Sequence, residues 1–310
     1  MILALAWLGC GNPTVAPVQA PEAQAAASVL TPGPSLHGTC DASAGVWLGD
    51  TLWVADDERN ELLRFPADGS EPVPVDLSAS FPQLRGEEAD LEAVASLGGR
   101  IWWVGSHDRG KGTKPKKARQ RLFSTTPRGA AGKLRADLLQ RMASHPQVAP
   151  VLAATAHHTS KHPAGLSIEG LVGLDDTLWV GFRAPVVDGK ALVVPITDPA
   201  GTAEAGPPTW LDLGGRGVRA MEAVGGEVIL VAGPPDGRGS FALYRWQPGA
   251  PPEPIEVDLG DLRPEGLAWN ATDASLWLLS DDGSLEREGH RCKDLPVARR
   301  RARTARWTPP

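Results

Sequence analysis

Five stretches of the 310-residue chain can be laid under one another: CDASAGVWLGDTLWVADD from Cys40, DLEAVASLGGRIWWVGSHD from Asp90, LSIEGLVGLDDTLWVGFR from Leu166, VRAMEAVGGEVILVAGPPD from Val218 and RPEGLAWNATDASLWLLSDD from Arg263. Each opens on a polar or acidic residue, runs through a short apolar strand and a Gly/Asp-rich turn, and enters a second strand, most often of the Leu-Trp-Val type. Third strands are expected at Leu62, Arg121, Ala191, Phe241 and Ser284, and fourth strands in three cases, at Val73, Thr209 and Ile255. Four short antiparallel strands recurring about every 40 to 50 residues are the blade pattern of a β-propeller, in which each sheet buries its faces against its neighbours.

Aligned on Ser43, Glu92, Glu169, Glu222 and Glu265, the windows lie 49, 77, 53 and 43 residues apart, so only the second interval carries an insertion. The fold expected is therefore an all-β propeller of five blades, with a sixth assembled from the insertion and the termini as the alternative. The 35 Gly and 29 Pro agree, since such a density of breakers excludes long helices. Trp53, Trp102, Trp179 and Trp277 fall at one second-strand position and are expected to pack blade against blade. The insertion in blade 2 holds a basic loop (Arg109, Lys111, Lys114, Lys116, Lys117, Arg119, Arg121) followed by GKLRADLLQRMA. There Leu134, Leu138 and Met142 recur at helical spacing, which predicts a short amphipathic helix capping one face. The arginine-rich stretch from Arg299 is expected to close the ring as an edge strand, where charge and terminal prolines are tolerated. The net charge is -6 despite these basic segments, so the body is acidic. No helix-turn-helix, zinc-finger or RNP pattern accompanies the cations, and a nucleic-acid partner is not expected.

Residues 1–10, MILALAWLGC, are apolar, too short to span a bilayer, and end in a small residue followed by Cys10, the pattern of a lipobox. The alternative is a cytosolic protein with an unusual start. Residues 11–38 are Ala/Pro-rich and read as a tether, leaving 39–310 as one propeller domain. The expectation is an exported, monomeric lipoprotein of the periplasm or cell surface that touches the membrane only through lipidated Cys10. Two cysteines then remain, Cys40 and Cys292. In an oxidising compartment they would form a disulfide; otherwise they are two unrelated thiols.

The segments DASAGVWLGDTLWVADDERN (41–60), EEADLEAVASLGGRIWWVGSHDR (87–109), LSIEGLVGLDDTLWVGFRAP (166–185), LDLGGRGVRAMEA (211–223), FALYRW (241–246), LLSDDG and HRCKDLP resemble a bacterial family known as domain of unknown function 3616. The resemblance runs over about residues 38–307 and implies a propeller-like fold without an established activity. Phytase-like and esterase-like propellers share the general blade pattern, a similarity of fold alone.

First strands line the channel of a propeller, so Glu92, Glu169, Glu222 and Glu265 are expected to converge at one mouth, with Ser43 in the first window. Asp41 and Asp90, two residues before Ser43 and Glu92, share their strand face and join the cluster. Four carboxylates held close need compensation: shared protons, arginines such as Arg183 and Arg219, or a hard cation such as calcium on Glu92, Glu169, Glu222 and Glu265. Three readings remain open here. The glutamates fix blade starts by bonding backbone N–H groups, or they hold a metal or charged ligand, or they act in acid/base catalysis. The functions expected are a ligand-binding module of the envelope for an envelope component or small anionic molecule, or a calcium-dependent phosphoesterase-like hydrolase. In the second case Lys111, Lys114 and Lys117 would steer the anion. No nucleophile elbow or HExxH motif is present, and Gly105–Gly112 lacks the hydroxyl a P-loop needs.

Overall fold

A computed structural model of the protein describes residues 30–66, 71–77, 87–110, 113–127 and 131–309. The expected signal peptide, Cys10, most of the tether and Lys111 lie outside the described residues. Among those described, no helix is long and apolar enough to cross a membrane.

Five antiparallel sheets form five blades. Blade 1 runs Ala42–Leu48, Thr51–Asp56, Glu61–Pro66, Val73–Asp76, and blade 2 runs Leu91–Leu97, Arg100–Gly105, Leu122–Thr125, Ala131–Arg135. Blade 3 comprises Ser167–Leu174, Thr177–Val187 and Lys190–Thr197, with both Glu204–Ala205 and Thr209–Asp212 on its outer edge. Blade 4 runs Gly217–Val224, Glu227–Gly233, Ala242–Trp246, Glu253–Ile255. The first strand of each blade touches those of the blades on either side, blade 5 returning to blade 1, so the ring closes.

Blade 5 corrects three expectations. Its order is Pro264–Asn270, Ser275–Ser280, Thr304–Trp307, Leu30–Pro32. The C-terminal stretch is thus the third strand rather than an edge, and Trp307 is fully buried. The outer strand comes from residues assigned by composition to the tether, so the propeller includes Leu30–Pro32, ahead of the expected boundary at 39. The third strand expected at Ser284 is instead a separate hairpin, Glu286–Arg287 with His290–Arg291. Alternation explains the choice: ARW presents Ala305 and Trp307 to the core shared by blades 4 and 5, whereas SLERE has only one apolar residue to bury.

Blade 2 carries a fourth strand the repeats did not reveal. Ala131–Arg135 pairs with Leu122–Thr125, so the expected helix is cut to Leu138–Met142, with a second helix at Ala149–Ala154. Leu138, Met142 and Val148 are buried in the apolar core between blades 2 and 3, so these helices wedge a blade interface instead of capping a face.

Trp53, Trp102, Trp179 and Trp277 sit in four different interblade clusters, as expected. The fifth interface, between blades 4 and 5, has Ile229 at that position. Cys40 and Cys292 form a disulfide that joins the entry of blade 1 to the segment closing blade 5.

Candidate functional site

Every first strand carries a β-bulge one or two residues from its start, and the extra residue is Ser43, Glu92, Glu169, Arg219 or Glu265. A bulge leaves one residue unpaired with the neighbouring strand and re-aims its side chain. Here all five stand at the inner wall of the ring. Each lies five positions before the last residue of its strand, a spacing anchored on the turn rather than on residue type.

That spacing corrects the expected quartet of glutamates. Blade 4 contributes Arg219, and Glu222 sits three residues further on, opposite Ile229. Val46, Ala95, Val172 and Ala268 occupy the matching place in the other blades. Glu222 therefore faces the blade 4–5 interface, where the backbone N–H of Ala223 and of Trp269 bond it. Burial raises its pKa to about 8 against the effect of those bonds.

Arg219 turns three carboxylates into an ion-pair network. Its Nε lies 2.9 Å from Glu169 Oε2, and its Nη2 pairs with Glu265. Arg183, near the end of the long second strand of blade 3, places Nη1 2.5 Å from Glu169 Oε1, which also accepts from Ser167 Oγ at 3.2 Å. Glu169 and Arg219 are 1% and 3% exposed. Burial disfavours the charge on Arg183, but Glu169, Glu92, Asp108 and Asp90 outweigh it and hold the guanidinium above its usual range. In the first blade Ser43 donates to Leu91 O at 2.5 Å and takes no part in the charge network.

Glu92 has no ion-pair partner among the described residues. Burial, then Glu169 and Asp90, push its carboxyl well above the usual range despite Arg183 and Arg219. Asp41, 6% exposed, is raised to about 8 by burial and by Asp281, Asp56 and Glu58. Asp57 was not singled out in the sequence, yet it is the hub of this side. Burial, Glu92, Asp41, Asp281 and Asp90 all raise it. Its signal was the Asp-rich loop after the second strand, present in blades 1 and 5 as Asp56-Asp57 and Asp281-Asp282.

Asp90 is anchored otherwise. It bonds Ser106 Oγ, and Arg119 Nη1 bridges it to Asp108 at 2.7 Å each while Nη2 holds Glu88 at 2.5 Å. Among the described residues of the basic insertion, Arg119 alone forms ion pairs with the acids near the channel; Lys114, Lys116 and Lys117 are exposed. His158 and His162 stack at 4.2 Å without forming a metal-ligating group.

These residues open into a cavity of about 420 Å³ at the channel mouth. Acids from blades 5, 1 and 2 (Asp281, Asp41, Asp57, Glu58, Glu92) line one side together with Lys293 and Arg263, and Lys161, Arg183, Arg219 and Arg238 line the other together with Glu169 and Glu265. Deeper in the channel, beneath the bulge residues, the free volume falls to about 10 Å³, so the cavity has a floor. A second cavity of about 450 Å³ lies between blades 5 and 1, beside the turns that follow their first strands, lined by Trp47, Trp277 and Phe65. Three overlapping carboxylate triads could hold a cation: Asp41/Asp56/Asp57, Asp57/Asp90/Glu92 and Glu92/Glu169/Glu265, each with ligand atoms within 4.8 Å of one another. In the last, Glu169 and Glu265 are already paired with Arg183 and Arg219.

The profile of the family described as "Protein of unknown function (DUF3616)" matches residues 41–131 and 122–259, well over half of the chain. The chain belongs to the DUF3616 family. Among solved structures, this DUF3616 propeller is similar to the glutaminyl cyclase of Myxococcus xanthus, at 12% identity and a TM-score of 0.53, over 91% of this chain and 97% of that one. Virginiamycin B lyase from Staphylococcus aureus aligns at 11% identity and a TM-score of 0.38, over 90% of this chain but only 66% of the lyase. A putative gluconolactonase aligns at 13% and 0.43, over 84% and 77%. At such identities the likeness is one of fold. No curated protein matches the chain in sequence.

Proposed function

We propose that the protein is an exported ligand-binding propeller of the cell envelope whose channel mouth takes a small anionic molecule bearing phosphate or carboxylate groups. The observation that carries this reading is the set of cations at the mouth: Lys161 and Arg238 exposed at the rim, Arg183 half-buried and Arg219 buried. An anion would meet the exposed charges first and be drawn inward, where charge interactions strengthen as water is excluded. Inorganic phosphate, titrated calorimetrically in the presence of EDTA, tests it. Saturable binding, weakened and made less salt-dependent in Lys161→Gln/Arg238→Gln, is expected; no binding, or equal affinity in the double variant, overturns it.

The acidic wall favours a second reading, metal-assisted hydrolysis of an anionic ester. A cation there would face the arginines across the cavity, and the two together could neutralise a transition state. Calcium-dependent turnover of phosphate monoesters, lost in Glu92→Gln, supports it, and absence of turnover removes it. Export is supported by the Cys40–Cys292 disulfide, a bond that persists in oxidising compartments. A Cys10→Ser variant that stays membrane-bound would count against the lipid anchor.

A further inference from the structure

Five carboxylates from two blades meet on the acidic wall, and their partners divide them sharply. Asp56 accepts from Arg59 Nη2 at 2.9 Å and from Thr39 Oγ1 at 2.8 Å, and Asp90 is held by Arg119 and Ser106. Asp41, Asp57 and Glu92 form no ion pair with any described residue. Moreover, Asp41 Oδ2 and Asp57 Oδ1 are buried without any hydrogen-bond partner.

A buried carboxylate oxygen left bare is costly, and two of them in one cluster need a common explanation. No hydrogen-bond donor among the described residues reaches either oxygen. Lys293, the nearest cation of relevance to Asp41, is spent on Glu58 at 2.5 Å. A bare cation held between the two would satisfy both. Asp41, Asp56 and Asp57 offer ligand atoms within 4.8 Å of one another, leaving a gap that puts a central ion within coordinating reach of each. Such an upper bound admits the roughly 2.3 to 2.6 Å bonds of calcium, and three protein carboxylates suit the flexible coordination of calcium better than the strict octahedron of magnesium, which dehydrates reluctantly.

We infer that the channel mouth holds a calcium-sized divalent cation between Asp41 and Asp57, with Asp56 as third ligand, oriented by Arg59 and Thr39. The glutamates expected to bind metal are not its ligands: Glu169 and Glu265 are neutralised by arginine, Glu222 lies in a blade interface, and Glu92 stands in the neighbouring triad that shares Asp57. The inference rests on the mouth being the binding site, and it names the cation that would sit across the cavity from the anion's arginines.

The test uses the full chain stripped with EDTA and then given calcium or magnesium alone, with no anion. A saturable rise in melting temperature and a calorimetric isotherm are expected for calcium, larger than for magnesium. Asp57→Asn should abolish the response and raise the melting temperature of the metal-free protein, because it removes a repelling charge; Asp41→Asn should weaken calcium binding at least about ten-fold, more than the 1.4 kcal/mol equivalent of one decade. A merely structural aspartate would not stabilise the apo protein when amidated. No calcium response, or an undiminished one in Asp57→Asn, overturns the inference. Phosphate binding in EDTA is a separate measurement, so either proposal can fail alone.

Discussion

Arg219 occupies in blade 4 the bulge position that Glu169 occupies in blade 3, and the two side chains meet across the channel with Nε 2.9 Å from Oε2. One charge reversal in an otherwise repeated position converts a ring of like charges into a bonded network. The neighbouring Arg183 completes it from a second strand.

Removing the reversal should be severe. Arg219→Gln leaves Glu169 and Glu265 short of a buried partner, and breaking such a pair costs about 3–5 kcal/mol. Denaturation in urea should show a loss of that order, and Glu169→Gln added to Arg219→Gln should recover part of it. If both variants are as stable as the parent, the network does not support the ring.

Glu222 sets a pH dependence. Its pKa rises from 4.5 to about 8 on folding, so between those values the folded state holds a proton that the unfolded state has released. Its contribution to stability is full below the unfolded value and is lost as pH rises through about 8. Glu222→Gln should flatten the fall in melting temperature across that window and be the more stable protein at its alkaline end.

Closing a loop with a sequence separation of 252 residues, the Cys40–Cys292 bond should contribute about 5 kcal/mol in the chain-entropy picture. Reduction, or Cys40→Ala with Cys292→Ala, should lower the urea midpoint accordingly. An unchanged midpoint would mean that the strands of blade 5 close the ring unaided.

Gly217 packs so closely on blade 3 that a Cβ there would collide with the Arg183 carbonyl. Gly217→Ala should displace Arg183 from Glu169 and weaken phosphate binding more than it lowers the melting temperature.

Much of this was legible in the chain because each blade repeats the same physical task. Turn glycines, a tryptophan on the second strand and an acid at the bulge are each answers to one local need, so the tryptophan recurs in four of five windows and the bulge acid in three. Arg219 was missed for the same reason. The search for an acid slid the alignment three residues to Glu222, whereas counting from the turn finds the arginine. Asp57 was invisible in another way: its role comes from Glu92 of the next blade and Asp281 of the last, neighbours that only ring closure provides. Blade 5 misled because its strands are far apart in sequence, and periodicity sees only what is local.

That last arrangement has a temporal side. The outer strand Leu30–Pro32 is among the first described residues synthesised, yet its partner Thr304–Trp307 is among the last. Four blades can form as they emerge, but the fifth waits until Thr304–Trp307 has been made, and the ring stays open until then. Non-local pairing of this kind is slow to form and keeps strand edges exposed meanwhile. A polypeptide whose ring cannot close before that strand appears is one that a translocation machine could still receive as an unclosed thread.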